Sequence, residues 1–187
     1  NSNGQLLVST ASAGAPSTTE ATETSVKRAY QTSANFTLGN SGSSGTPFPL
    51  FRFVNNSLSK IAYIRNITFA NSEGANKSVL LRVYSNETNA ANLAQVVTTL
   101  NPTSMYVGTS PTNIVLVYTS TPVTNVPVLA TNPPSGTLLS TAISTNETAT
   151  IDYNWGLVLP PGNNLFITAT AYANSQKVSV NIIWSEV

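Results

Sequence analysis

YNWGLVLPPGNNLFITATAYANSQKVSVNIIWSEV, residues Tyr153 to Val187, decides the fold. It reads as a short strand, a Pro-Pro-Gly-Asn-Asn corner, a strand, a small polar turn and a last strand. Leu165, Ile167, Ala169 and Ala171 alternate with Phe166, Thr168, Thr170 and Tyr172, the period-2 pattern of a strand. After Ala173-Asn174-Ser175-Gln176 the alternation resumes, with Val178, Val180, Ile182 and Trp184 on one face and Ser179, Asn181 and Ser185 on the other, broken at Ile183. Two such runs joined by a short polar turn are expected to pair antiparallel and to bury one face each. Trp184 lies three residues from Val187, so the end of the chain is expected to be tied into a sheet.

Working back toward residue 1, the same signal repeats. Ala34, Phe36 and Leu38 alternate up to GNSGSSG, residues 39 to 45, a flexible corner with no lysine after it to make a phosphate loop. Pro49 to Val54, Lys60 to Phe69 and Ser78 to Tyr84 are rich in β-branched and aromatic residues and are separated by turn residues. Ile114 to Thr119, Thr137 to Ser144 and Thr148 to Tyr153 complete about eight strands. Asn86 to Leu100 has two readings. One is a short helix capped by Asn86 or Thr88 with Leu93, Val96, Val97 and Leu100 on one face, the other a strand over Gln95 to Leu100. Pro127, Pro133 and Pro134 keep residues 122 to 136 at an edge or in a loop. Strands at intervals of roughly ten residues predict an all-β, antiparallel two-sheet β-sandwich of jelly-roll or Ig-like type over residues 31–187.

Residues 1–30 differ. They are low in complexity, and their one aliphatic cluster is Leu6, Leu7 and Val8. Such a segment buries too little to fold alone. It is read as an extended N-terminal arm whose Leu6, Leu7 and Val8 serve assembly.

Composition narrows the function. Charged residues make up 8% of the 187 residues, against roughly a quarter in an average soluble domain. The surface is therefore Ser, Thr and Asn, which suits a member of an assembly. Net charge is +1 with only Lys27 and Arg28 adjacent, so no basic patch for nucleic acid is visible. No apolar run approaches a membrane span. The sequence does not begin with Met, so any leader is expected to have been removed or the sequence trimmed. With no His and no Cys there is no Ser-His-Asp triad, thiolate nucleophile or imidazole metal site. The nearest carboxylates outside the arm, Glu147 and Asp152, fall on opposite faces of a strand, unsuited to glycosidase chemistry. The chain is thus expected to be no enzyme, with no cofactor and no metal.

Two further sets of residues remain. Asn35, Asn55, Asn66, Asn76, Asn86 and Asn146 each stand in an Asn-x-Ser/Thr glycosylation sequon. The chain has 22 Asn and 49 Ser plus Thr, so chance alone gives about six such triplets, and the sequons carry nothing beyond composition. Trp155 and Tyr153, beside Gly156, are candidates for stacking on a sugar ring, against the reading of simple sheet packing.

The order of these motifs resembles that of all-β structural proteins of tailed-phage virions. Phe53-Val54-Asn55-Asn56-Ser57-Leu58-Ser59-Lys60-Ile61 through Ile67 is similar to one segment of that type, and Leu81-Arg82-Val83 to the apolar-Arg-apolar motif that follows it. Gly156 to Ile167 and Val178 to Glu186 match its closing corner and final strand. The resemblance spans residues 50 to 187. It implies a head-decoration, head-fibre or tail-associated protein at the virion surface, partnered by its own copies and by other virion proteins such as the major capsid protein. Two alternatives stand beside it. One is an extracellular, N-glycosylated filament or pilus-like subunit that donates a strand to its neighbour. The other is a carbohydrate- or receptor-binding module for a host-surface glycan.

Overall fold

The computed structural model describes residues 29–39, 45–71, 78–105, 110–118, 126, 128–145 and 148–187. Among them eleven strands and one helical turn occur in the order β1 (Ala29–Leu38), β2 (Phe48–Val54), β3 (Ala62–Asn71), β4 (Val79–Ser85), α1 (Ala90–Leu93), β5 (Val96–Leu100), β6 (Thr103–Ser104), β7 (Ile114–Tyr118), β8 (Thr137–Ser144), β9 (Thr148–Leu159), β10 (Asn164–Ala171) and β11 (Gln176–Glu186). Strand pairing begins at Ala29, two residues before the expected domain start at 31.

One sheet has the order β6-β1-β11-β3-β9 and the other β5-β7-β2-β10-β4-β8. Every named pair is antiparallel. With β5, β6 and β7 set aside as an insertion, the eight remaining strands pair first with last (β1·β11), second with seventh (β2·β10), third with sixth (β3·β9) and fourth with fifth (β4·β8). That nested pairing is a jelly roll, and it settles the choice against an Ig-like order.

The quoted C-terminal stretch therefore forms both strands but not the expected hairpin. β10 pairs with β2 and β4, β11 with β1 and β3, so the two lie in opposite sheets. Each is flanked on both sides by other strands and has no edge left for its sequence neighbour. Sheets pack about 10 Å apart, a gap the short turn crosses. Ser175 in that turn takes a left-handed φ of 57°, and Gln176 Oε1 accepts from the Tyr172 N–H at 3.2 Å.

Alternating side chains from both sheets fill one core. Phe53 of β2 meets Trp184 of β11 edge-on with ring centroids 5.0 Å apart, and Phe36 of β1 meets Phe51 of β2 at 5.6 Å. Such pairs add about 1 kcal/mol each beyond area burial. Trp184, Ile182, Val180 and Val178 all face inward, as their alternation predicts.

β10 departs from alternation in its surroundings. All eight of its residues are buried, not one face of it. The cause is a second, smaller apolar cluster on the outer side of its sheet, where Phe166 packs with Tyr84, Val96, Leu129 and Leu93. The ambiguous segment supplies this cover. Only one helical turn forms, capped by the Asn89 side chain rather than by Asn86 or Thr88, and Val96–Leu100 is strand.

Candidate functional site

Of the described carboxylates, Glu186 and Glu87 are buried. Glu186 is 1% exposed at the end of β11. Its oxygens accept from the Thr112 N–H at 3.0 Å, the Thr112 hydroxyl at 2.8 Å, the Asn113 N–H at 3.1 Å and Asn113 Nδ2 at 2.7 Å. Lys60 Nζ stands 3.6 Å away but is half exposed, so it adds little. Burial pushes the Glu186 carboxyl up, but the bonds from Asn113 and Thr112 outweigh it and hold the group below its ordinary value. Beside it, Val187 and Ile61 exchange backbone hydrogen bonds of 3.0 and 2.8 Å, so the end of the chain is tied in as the sequence suggests.

Glu87, also 1% exposed, does similar work at another corner. Oε1 accepts from the Asn89 N–H at 2.8 Å and from the Ser135 hydroxyl at 2.7 Å, and Oε2 from the Gly136 N–H at 3.3 Å. These bonds join the loop after β4 to the loop before β8. A Cβ at Gly136 would lie 2.4 Å from the Ser85 carbonyl oxygen, so only glycine fits this closure. Both carboxylates are held by protein donors. Among the described residues no three acidic side chains gather where an ion could sit. Asp152 is exposed on β9 opposite Asn66, and Glu147 lies outside the described residues.

The sequon asparagines divide by environment. Asn55 is fully buried, its Nδ2 donating to the Leu159 carbonyl at 2.8 Å and to the Lys60 carbonyl at 3.0 Å. The nitrogen that would carry a glycan is spent inside the fold. Its Oδ1 accepts from the Ser57 N–H, and Ser57 Oγ from the Lys60 N–H, which is the physical content of the Asn55-x-Ser57-x-x-Lys60 motif. Asn66 is half-buried in β3. Asn35 and Asn86 are exposed. Asn86 takes a left-handed φ of 54° and its Oδ1 accepts from the Asn164 N–H. Asn76 and Asn146 lie outside the described residues, as do Leu6, Leu7 and Val8.

Tyr153 packs against the core, and its hydroxyl is 3.0 Å from the Ser140 hydroxyl, linking β9 to β8 across the side of the sandwich. Burial raises its phenol pKa. The Trp155 side chain lies outside the described residues. The β9 backbone around it leaves the ladder, since β3 steps from Ile64 to Asn66 while β9 steps from Leu157 to Asp152. Gly156 there has φ of +76°, and a Cβ would meet Arg65 Nη1 at 2.9 Å. Arg65 lies over the Tyr63 ring at 5.5 Å and donates to Ser185 Oγ at 3.0 Å. A half-open groove of about 200 Å³ beside β1 is lined by neutral groups including Gln31, Ser33, Asn101, Thr103 and Asn181. It has no aromatic ring on which a sugar could stack.

What remains is the surface itself. Around the β1-β11-β3-β9 sheet, the outward residues include Gln31, Ser33, Asn35, Ser179, Asn181, Thr68 and Thr150, with the charged Lys177 and Asp152 and the apolar Ile183 among them. Of the edge strands, β6 has two residues, β5 has five with a register break at Val96/Thr98, and β9 carries Asp152 and the four-residue excursion. β8 is different. It pairs with β4 on one side, and no strand pairs with its other side among the described residues. Its sequence, TLLSTAIS, has no charge and no proline. Leu138 is 49% exposed and Ile143 63% exposed. Soluble proteins ordinarily guard such an edge with Lys, Pro or a bulge. β8 has one register shift, at Leu139, and a regular ladder from Ser140 to Ser144. The sequence shows the strand but not its place at an edge, which depends on pairings up to 65 residues away.

Comparison with known proteins adds little to this picture. No protein-family model matches the sequence, and no curated protein is similar to it. Among solved structures, a chain from the structure of infectious bursal disease virus Gt strain is similar at 12% identity over 85% of this chain, with a TM-score of 0.16. This chain spans 40% of that one, and a superposition at that score carries no argument about fold or function.

Proposed function

We propose that this chain is a non-enzymatic structural subunit of a virion surface, of the capsid-decoration, head-fibre or tail-associated kind, working in many copies. The observation that carries the reading is the surface: a sheet face mostly of Ser, Thr and Asn, together with an uncharged, aliphatic edge strand, β8, that no strand flanks on its outer side among the described residues. Neutral polar surface and an open edge suit burial against neighbours, where each unpaired backbone group finds a partner. The two buried carboxylates support the reading from another side, since their donors are the fold's own loops and both groups serve to hold those loops together. The sequence resemblance to phage virion proteins supplies the particle; the jelly roll agrees with it, as one of several roles this architecture serves.

A second reading is an extracellular filament subunit. Glycans found on the exposed sequon positions Asn35 and Asn86 would favour it. Intact mass of the protein from its source, with immunogold electron microscopy, separates the two. The virion reading expects the polypeptide mass of 19.7 kDa and label on particles. Added hexose mass with label along filaments overturns it.

A further inference from the structure

We propose that Lys60 and Asn113 condense into an intramolecular isopeptide bond, Lys60 Nζ to Asn113 Cγ, with Glu186 as the group that moves the proton. The proposal stands apart from the assembly reading, because the bond lies within one chain and its test does not depend on oligomeric state.

The three side chains meet at one end of the sandwich. Glu186 Oε1 accepts from Asn113 Nδ2 at 2.7 Å, and Oε2 lies 3.6 Å from Lys60 Nζ. One carboxylate therefore touches both the amine and the carboxamide. Lys60 is aimed by its backbone: its N–H donates to Ser57 Oγ at 2.8 Å, and its carbonyl accepts from Asn55 Nδ2 at 3.0 Å. Its Nζ donates to Thr112 Oγ1 at 3.0 Å, on the residue next to Asn113. Asn113 is 3% exposed, and its Oδ1 is buried with no hydrogen-bond partner. A buried carbonyl left open costs stability and asks for an explanation. Its carbon here stands as an electrophile beside an amine and a base. Trp184, fully buried, donates from Nε1 to Glu186 Oε1 at 3.4 Å and helps to wall the carboxylate from water. A buried carboxylate in this fold does not itself require a lysine. Glu87, equally buried, is held by loop donors alone.

The step balances without any other reactant. Glu186 takes one proton from the Lys60 ammonium, leaving a neutral amine and a neutral acid, and burial favours the neutral form of each. The amine lone pair attacks Asn113 Cγ, and the carbonyl pair moves to Oδ1. Glu186 passes its proton to Nδ2, already within hydrogen-bond reach, and takes the surplus proton from Nζ. The carbonyl re-forms, the Cγ–Nδ2 bond breaks, and ammonia leaves, collecting that proton from Glu186 as ammonium. One amide replaces another, with no oxidation. The product ties Lys60, just before β3 in one sheet, to Asn113, just before β7 in the other. It closes a loop of about fifty residues, a crosslink that restricts the unfolded chain.

Intact mass of the full-length chain under denaturing conditions reads the bond directly. The wild type is expected about 17 Da below its sequence mass, the loss of one ammonia, with a tryptic fragment joining the Lys60 and Asn113 peptides. Full-length Lys60→Arg, a change at a half-exposed side chain, is expected to keep the full mass. Its circular dichroism should be unchanged and its Tm lower by about 10 °C. Glu186→Gln, which cannot take the lysine's proton, is also expected at full mass. Wild type that stays at its full sequence mass after prolonged incubation overturns the proposal. So does an ammonia loss that survives Lys60→Arg, which belongs to a succinimide at an asparagine. A gain of about 1 Da at Asn113 would show water reaching Cγ in place of the lysine, and overturns it as well.

Discussion

Glu186 shows how far a single residue can organise this molecule. Its carboxylate gathers the loop before β7 onto the end of β11 through four donors of Thr112 and Asn113. Because the folded pKa lies below the ordinary value, the unfolded chain takes up a proton first as the pH falls. The stabilisation is complete above the unfolded carboxylate value of about 4.3 and is lost as the pH falls from there through the folded value. Chemical denaturation from pH 7 to pH 3 is expected to show that loss in the wild type and a flatter profile in Glu186→Gln. At pH 7, Glu186→Ala is expected to cost on the order of 3 kcal/mol, since it leaves several buried donors unpaired. Gly136→Ala is expected to destabilise by about 2 kcal/mol or more, because its methyl would fall on the Ser85 carbonyl; thermal unfolding checks it. None of these partnerships was legible in the sequence. Glu186 and Thr112 are 74 residues apart, and a glutamate near a strand end looks the same whether solvated or buried.

At the scale of elements the sequence was a better guide. Period-2 alternation placed β1, β2, β3, β4, β10 and β11 within a few residues, because half-buried strands write their two faces into the chain. Pairing was another matter. Alternation carries no record of which strands are neighbours, so β10 and β11 read as a hairpin although each lies in the middle of a different sheet. The burial of β10 on both faces was hidden in a similar way, since Phe166 reads as an outward residue until Tyr84, Leu93, Val96 and Leu129 are known to cover it. Phe166→Ala is expected to cost about 3–5 kcal/mol, as for a core phenylalanine, where an outward aromatic would cost under 1. Equilibrium denaturation distinguishes these values. The Asn86 to Leu100 segment balanced helix against strand because Asn89 caps a helix well while Val96 to Leu100 favours the ladder, and both outcomes occur in turn.

For the whole molecule, the features that suggest function lie on the surface and not in a pocket. Low charge was readable from composition, and it pointed to assembly. Which edge stays open could be read only once eleven strands had been put in order. The assembly reading joins these two observations, and we propose on them that a chain with so little charge, whose aliphatic strand β8 has no strand on its outer side among the described residues, is completed by its neighbours. Sedimentation velocity of the full-length chain over a hundredfold range of concentration tests that claim most directly. The account predicts a discrete oligomer that persists on dilution into the low micromolar range and falls to monomer when Ile143 is changed to Lys. A single monomeric boundary at every concentration, with the edge left open, would contradict it.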